Sequence, residues 1–400
     1  MSPRLRNKSI PLDHEHIALV LQGGGALGAY QAGVFDELSK IPHEPTWVVG
    51  VSIGAINAAL IAGNEPDKRV ARLREFWTSV SVGLGELAPV LDAHRKHFYR
   101  FSAAMSASFG VSGFYRPRLL PPPFQPPGTP GAISVYDTAP LRSTLERLID
   151  FDLINSKRMR LSVGAVDVRT GNSIYFDNTE REIRPEHIMA SGALPPAFAP
   201  VEIDGEAYWD GGIASNTPLQ YVLDHCGLHK TMILQVDLFS ARGEMPVNMG
   251  EVAARHKDIM YSSRTRFNTD KAAEIQANKR SFCNLVAKLP EALKDDPDVK
   301  RLLAASRTPQ IDIVHLIYRQ NRFELESKDY EFSRHTVNAH WRAGQQDMRT
   351  TLNDPALLTR SRPDLGITVY DLAQRSESRQ ASLRDPGTAA HEQGAKAVAA

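Results

Sequence analysis

Residues 48–57 read VVGVSIGAIN, with Ser52 held between Gly50 and Gly54. In a Gly-x-Ser-x-Gly stretch that leaves a strand and enters a helix, the serine sits on a sharp turn in strained backbone geometry. That turn lifts its hydroxyl clear of the sheet. A Cβ at Gly50 or Gly54 would collide with the turn, and the helix beyond aims its positive N-terminal end at the serine. Such a hydroxyl can attack a carbonyl carbon if a base removes its proton. The bland alternative is a small residue at an ordinary strand-to-helix turn.

The histidines offer no clear base. His315 lies in an apolar strand pattern, His187, His225 and His229 carry no motif, and His335 and His340 belong to a charged stretch. Asp210 is the better candidate, in YWDGGIASNTPL (208–219), where Gly211 and Gly212 let the backbone turn sharply. Aspartate is a weak base in water, with a pKa of about 3.9. Burial beside Trp209 and Tyr208 would raise that value and make it competent. The alternative is that Asp-Gly-Gly forms only a loop turn.

A third stretch, QGGGALGAY (22–30), places Gly23, Gly25 and Gly28 in the spacing of a dinucleotide fingerprint. That reading requires an acid at the end of the next strand, where this chain has Gly50-Val51-Ser52. The nucleotide reading fails there. What remains is a glycine-rich loop at a helix N-terminus, whose unpaired backbone N–H groups suit a phosphate or a developing oxyanion. It can equally be a tight turn with no ligand.

These residues need a scaffold, and the sequence outlines one. The chain has 400 residues, enough for one large domain or two, and 47 basic against 46 acidic side chains leave no global field to draw in nucleic acid. Two cysteines, Cys226 and Cys283, exclude a disulfide framework. The start, MSPRLRNKSIPLDHEH, lacks the apolar core of a signal peptide, so a cytoplasmic setting is expected. The uncharged run 45–64 is long enough to span a bilayer, but its glycines, Ser52 and Asn57 read better as buried strand, turn and helix.

IALVLQ (17–22) and TWVVGV (46–51) read as buried strands, each followed by a helix, near 26–40 and 53–63. APLRSTLERLI (139–149) reads as helix, and RLSVGAVDV (160–168), SIYFDN (173–178), TMILQVDLF (231–239) and IDIVHLIY (311–318) as strands. VEIDGEAYW (201–209) reads as a hairpin turning at Asp204-Gly205. The expected fold is α/β, with a mainly parallel central sheet covered by helices on both faces. Charged helical stretches are expected over roughly 249–305 and 325–352.

Together the three motifs resemble the patatin-like phospholipases, serine acyl hydrolases that use a Ser–Asp dyad without histidine. GGGALG (23–28) is similar to that family's oxyanion loop, GVSIG (50–54) to its nucleophile elbow and DGG (210–212) to its aspartate motif. ASGALPPAFAPV (190–201), Asn216 and Pro218 fit the segments around that aspartate. The resemblance implies Ser52 as nucleophile, Asp210 as base and the amides of Gly23, Gly24 and Gly25 as the oxyanion hole. It implies no cofactor and no metal. Many relatives have Arg or Lys where this chain has Leu27, which leaves the preferred head group open.

The organisation expected is a polar arm (1–15), a patatin-like catalytic domain (16–240), a C-terminal helical region (241–370) with one strand near 311–318, and a disordered tail (371–400). Within the catalytic domain, 81–135 reads as a lid-like irregular insertion containing RPRLLPPPFQPPGTPG. From Ala93 to Val135 there is no acid, but there are five basic side chains and many aromatics. That mix suits peripheral contact with an anionic lipid surface. Alternatively the insertion packs on the body with its arginines solvated or paired.

The substrate class expected is a lipid ester, phospholipid or lysophospholipid, hydrolysed through an acyl-enzyme. An acyltransferase on the same dyad, a non-catalytic anion- or lipid-binding scaffold and a histidine-dependent hydrolase are the other readings. The sequence leaves oligomeric state open.

Overall fold

The computed structural model describes residues 14–81, 92–263, 265–306, 310–319, 327–354, 357 and 366–370. Most of the arm expected over 1–15, and all of the tail expected over 371–400, lie outside them.

The strands in chain order are β1 (His16–Leu21), β2 (Trp47–Val51), β3 (Arg116–Pro117), β4 (Tyr136–Asp137), β5 (Arg160–Asp167), β6 (Ser173–Asp177), β7 (Val201–Ile203), β8 (Glu206–Asp210), β9 (Thr231–Asp237), β10 (Ile311–Ile317) and β11 (Ile367–Tyr370). Nine of them form one sheet, in which β11, β10, β9, β1, β2 and β5 run parallel in that spatial order. β6, β8 and β7 close the far side with antiparallel pairs. The expected α/β fold is the observed one. Alternate residues of β1 enter two cores: Leu19 and Leu21 face the larger, Ala18 and Val20 the smaller. Burial on both faces is why these strands read as unbroken apolar runs.

The helix α1 (Gly28–Leu38) follows β1, and α2 (Ile53–Ala62) follows β2. The uncharged run 45–64 is therefore a strand, a turn and a helix. Among the described residues no helix is long and apolar enough to cross a membrane. The hairpin is β7–β8, with Asp204 and Gly205 both at positive φ (53° and 87°) in the turn. The sequence reading missed helix α3 (Arg69–Ser79) and shorter helices at Phe151–Asn155, Pro185–Ser191 and Leu219–His225.

Three expectations need correcting. The 81–135 insertion is not irregular throughout, because helix α4 (Asp92–Phe109) occupies its middle. Its buried positions, Tyr99, Ser102, Ala103 and Ser106, follow helical spacing, but small and polar residues there hid the period. The proline-rich part is non-helical as expected, apart from short 3-10 turns at Pro122–Phe124 and Pro130–Ile133. Among its described residues the C-terminal region carries two strands rather than one, β10 and β11. The helix expected from 325 starts at Arg334, and residues 327–333 form a turn and a short connection.

The C-terminal region also extends the sheet beyond the boundary expected at 240. β10 pairs with β9 from Ile311↔Thr231 to Ile317↔Asp237. The helix Arg334–Leu352 packs on α1 so closely that a Cβ on Gly33 would lie 2.0 Å from the Trp341 carbonyl oxygen.

Candidate active site

Strand register brings the two motifs together. Along one edge of β5, Val51 at the end of β2 sits opposite Gly164, and Asp210 at the end of β8 sits opposite Ala165. β2 and β8 approach this point from opposite directions, so Ser52, the next residue after Val51, meets Asp210 head-on. Ser52 and Asp210 line the same cavity, and the Ser52 hydroxyl is near enough to the Asp210 carboxyl to oppose the rise in its pKa.

Ser52 has φ 56° and ψ −125°, a conformation that a non-glycine residue adopts only under surrounding constraint. The constraint is steric. A Cβ on Gly50 would stand 2.3 Å from the Gly54 backbone, and one on Gly54 would stand 2.3 Å from the Leu21 carbonyl oxygen. The Ser52 N–H donates to Ser191 Oγ (2.9 Å), and Ser191 Oγ donates to the Gly164 carbonyl (2.6 Å). Ser191 is fully buried and ties the elbow to β5. Sequence reasoning quoted its segment but not its role, since a serine before a glycine carries no distinguishing signal.

Asp210 is 2% exposed. Burial pushes its carboxyl up to about 7, opposed by the Ser52 hydroxyl and by the Gly212 N–H, which donates to Oδ1 at 2.7 Å. A carboxylate of that basicity beside a hydroxyl is suited to accept its proton near neutral pH.

The glycine loop faces the same point. The Gly23 N–H donates to the Asn216 carbonyl (3.1 Å), so it is engaged within the protein. Asn216 Nδ2 in turn donates to the carbonyls of Gly23 (3.1 Å) and Tyr261 (3.0 Å). Among the described residues the N–H groups of Gly24 and Gly25 have no acceptor, and Gly25 is at positive φ (53°). Of the three amides expected to form an oxyanion hole, that of Gly23 has an acceptor within the protein and those of Gly24 and Gly25 have none among the described residues. Leu27 is fully buried in the core.

Ser52, Asp210 and Gly23–Gly25 line one cavity of about 330 Å³. Its walls are largely apolar: Ile53 and Ile56 from α2, Phe114 and Tyr115 from the insertion, Leu194 and Phe198 from the segment before β7. Phe239, Tyr261, Tyr330 and Phe332 complete it from beyond the parallel core. No sequence signal joined these distant aromatics. No histidine lines the cavity among the described residues. His187 is buried and held down to about 4 by desolvation, and His315 bonds Asp237 at 2.5 Å. Among the described residues no group of three or more His, Cys, Asp or Glu side chains is placed to hold a metal ion.

The insertion's arginines are partly engaged. Arg116 pairs with Asp137, just past the acid-free stretch, and Arg118 donates to Ser134. Phe101, Phe109, Leu119, Leu120 and Phe124 are exposed.

A structural comparison finds VipD from Legionella pneumophila, 15% identical, covering 86% of this chain and 67% of that one with a TM-score of 0.35. No curated protein matches the sequence. A family model described as patatin phospholipase matches residues 259–364. A second, described as patatin-like phospholipase, matches residues 19–223, more than half of the chain, from within β1 to within the helix after Asp210. The chain belongs to the patatin-like phospholipase family and is a lipid acyl hydrolase.

Proposed function

We propose that this protein hydrolyses the acyl ester of a phospholipid or lysophospholipid through a Ser52–Asp210 dyad. The observation that carries this reading is the juxtaposition of a partly buried Ser52 and a buried Asp210 at the wall of an apolar cavity that Gly24 and Gly25, whose amides have no protein acceptor among the described residues, also line. Ser52 Oγ attacks the ester carbonyl carbon while the Asp210 carboxylate takes its proton. The carbonyl oxygen becomes an oxyanion, held by the amides of Gly24 and Gly25. Collapse of this intermediate breaks the ester C–O bond, and the leaving alcohol takes the proton from Asp210. The acyl group stays on Ser52 with its chain among the cavity's aromatic and aliphatic side chains. Asp210 then takes a proton from a water that attacks the acyl carbonyl carbon; collapse breaks the Ser52 Oγ–acyl bond, the proton passes from Asp210 back to Ser52 Oγ, and the fatty acid is released.

The exposed apolar side chains of the insertion belong to the same proposal. Phe101 and Phe109 on α4, with Leu119, Leu120 and Phe124 beyond it, form a surface suited to the headgroup boundary of a lipid layer. The insertion also supplies cavity wall, so lipid contact and cavity entry are close in the chain. The proposed setting is the cytoplasmic face of a membrane, touched peripherally.

Hydrolysis of p-nitrophenyl esters of increasing acyl length tests the chemistry. Wild type is expected to turn over with a chain-length optimum, and Ser52→Ala and Asp210→Asn to lose roughly a thousandfold or more in kcat while remaining folded. Equal activity in all three would sink the dyad.

A further inference from the structure

The glycine loop is held from both sides by parts of the chain far from it in sequence. On one side, Tyr261, the last residue of the helix Met249–Tyr261, gives its carbonyl to Gln22 Nε2 and Asn216 Nδ2, each at 3.0 Å. On the other, the Ala26 N–H donates to the Asp329 carbonyl at 2.7 Å. That carbonyl oxygen sits 2.0 Å from where a Cβ on residue 25 would be. Gly25 is therefore required by its positive φ and also by the turn that crosses it.

The turn has an anchorage of its own. Lys257 and Asp258 are neighbours on the helix, and Lys328 and Asp329 are neighbours on the turn. They pair crosswise, Lys257 Nζ with Asp329 Oδ1 at 2.7 Å and Lys328 Nζ with Asp258 Oδ1. The Lys328 side chain is almost fully buried, and its Nζ lies 5.2 Å from the centre of the Phe239 ring. Phe239, Asp329 and Phe332 line the cavity with the loop.

We propose that the 327–333 turn is a positioning device for the oxyanion loop. The Asp329 carbonyl fixes the backbone of Gly24 and Gly25 where it lines the cavity, and the crossed ion pairs keep that carbonyl in place. This rests on the dyad reading for its catalytic consequence, though not for its structural part. A buried ion pair is a costly way to add stability, since desolvation offsets much of the attraction. Its use here is geometric: it fixes one carbonyl against one loop. An oxyanion donor that is misplaced rather than lost weakens the transition state and leaves ground-state binding nearly unchanged.

The test uses the full chain with two readouts, amide hydrogen exchange of the peptide covering 22–30 and steady-state hydrolysis of a soluble p-nitrophenyl ester. In Lys328→Met, exchange of that peptide is expected to rise about tenfold or more, as a local anchor is lost. Its kcat is expected to fall about tenfold or more with KM within about twofold. The charge-swapped Asp258→Lys/Lys328→Asp is expected to recover most of both. Should Lys328→Met fail to fold, Lys257→Met, which breaks the more exposed pair, carries the same comparison. Unchanged exchange in a folded variant, or a fall in kcat/KM carried by KM, would overturn the proposal and leave the turn as cavity wall. A Ser52→Ala protein as active as wild type would instead remove the dyad reading, and the exchange result would still decide whether the turn holds the loop.

Discussion

In the proposed dyad Asp210 serves as base only when ionised, so its raised pKa is expected to set the acid limb of activity. With the folded value near 7, kcat/KM is expected to rise with pH through about 7 and then level off. A limb centred near 4 would mean that the carboxyl is not desolvated as the structure places it. The same shift bears on stability. Because the folded carboxyl binds its proton more tightly than the unfolded one, its contribution to stability is fully present below about 4 and is lost as pH rises through about 7. About three units correspond to roughly 4 kcal/mol at most. Asp210→Asn, inactive, is therefore expected to be more stable than wild type at pH 8 and nearer to it at pH 4, as urea titrations at the two values would reveal. Ser191 is the other side chain whose loss is informative. Ser191→Ala removes the acceptor of the Ser52 N–H and the donor to Gly164, and is expected to cost about 1–3 kcal/mol. A drop in kcat larger than any change in KM would mark it as a holder of the elbow.

Elements bring these residues together through one register. Gly50 and Gly54 were readable in the sequence because sterics at a tight turn act on neighbours, and Asp210 because it follows a hairpin with its own turn signal. The parallel core was readable because strands buried on both faces are apolar throughout. What could not be read depends on contacts between distant segments. The Gly23 amide is engaged by the Asn216 carbonyl, 193 residues away in the chain, a pairing only the fold creates. The carbonyl that occupies the space beside Gly25 belongs to Asp329, on a stretch that looked helical. Helix α4 was obscured by the small residues with which it packs. Its outer side gives an element-scale prediction. Replacing Phe109 and Phe124 by serine removes two exposed aromatic side chains and no described core contact. The double variant is expected to keep activity on a soluble ester and to lose about tenfold or more in partition to vesicles of mixed zwitterionic and anionic phospholipid. Equal partition would place lipid contact elsewhere.

At the scale of the whole molecule, the C-terminal region is tied into the same body as the motifs. β9 carries both neighbours of its pairing, β1 on one edge and β10 on the other, and is buried throughout. A chain ended at 240 would expose the β10 edge of β9, a row of unpaired N–H and C=O groups on an apolar strand. It would also strip the helix Arg334–Leu352 from α1, uncovering the tight contact between Gly33 and Trp341 and leaving the buried Asp36 carboxylate without the Trp341 Nε1 and Gln345 Nε2 donors. Apolar surface and unpaired polar groups exposed together favour association over folding. The 1–240 fragment, despite holding Ser52, Asp210 and all three glycines, is expected to be insoluble or molten when produced alone, lacking near-ultraviolet dichroism and esterase activity. A soluble, cooperatively unfolding and active fragment would show instead that the catalytic unit closes before residue 240 and that the later strands extend a sheet already stable.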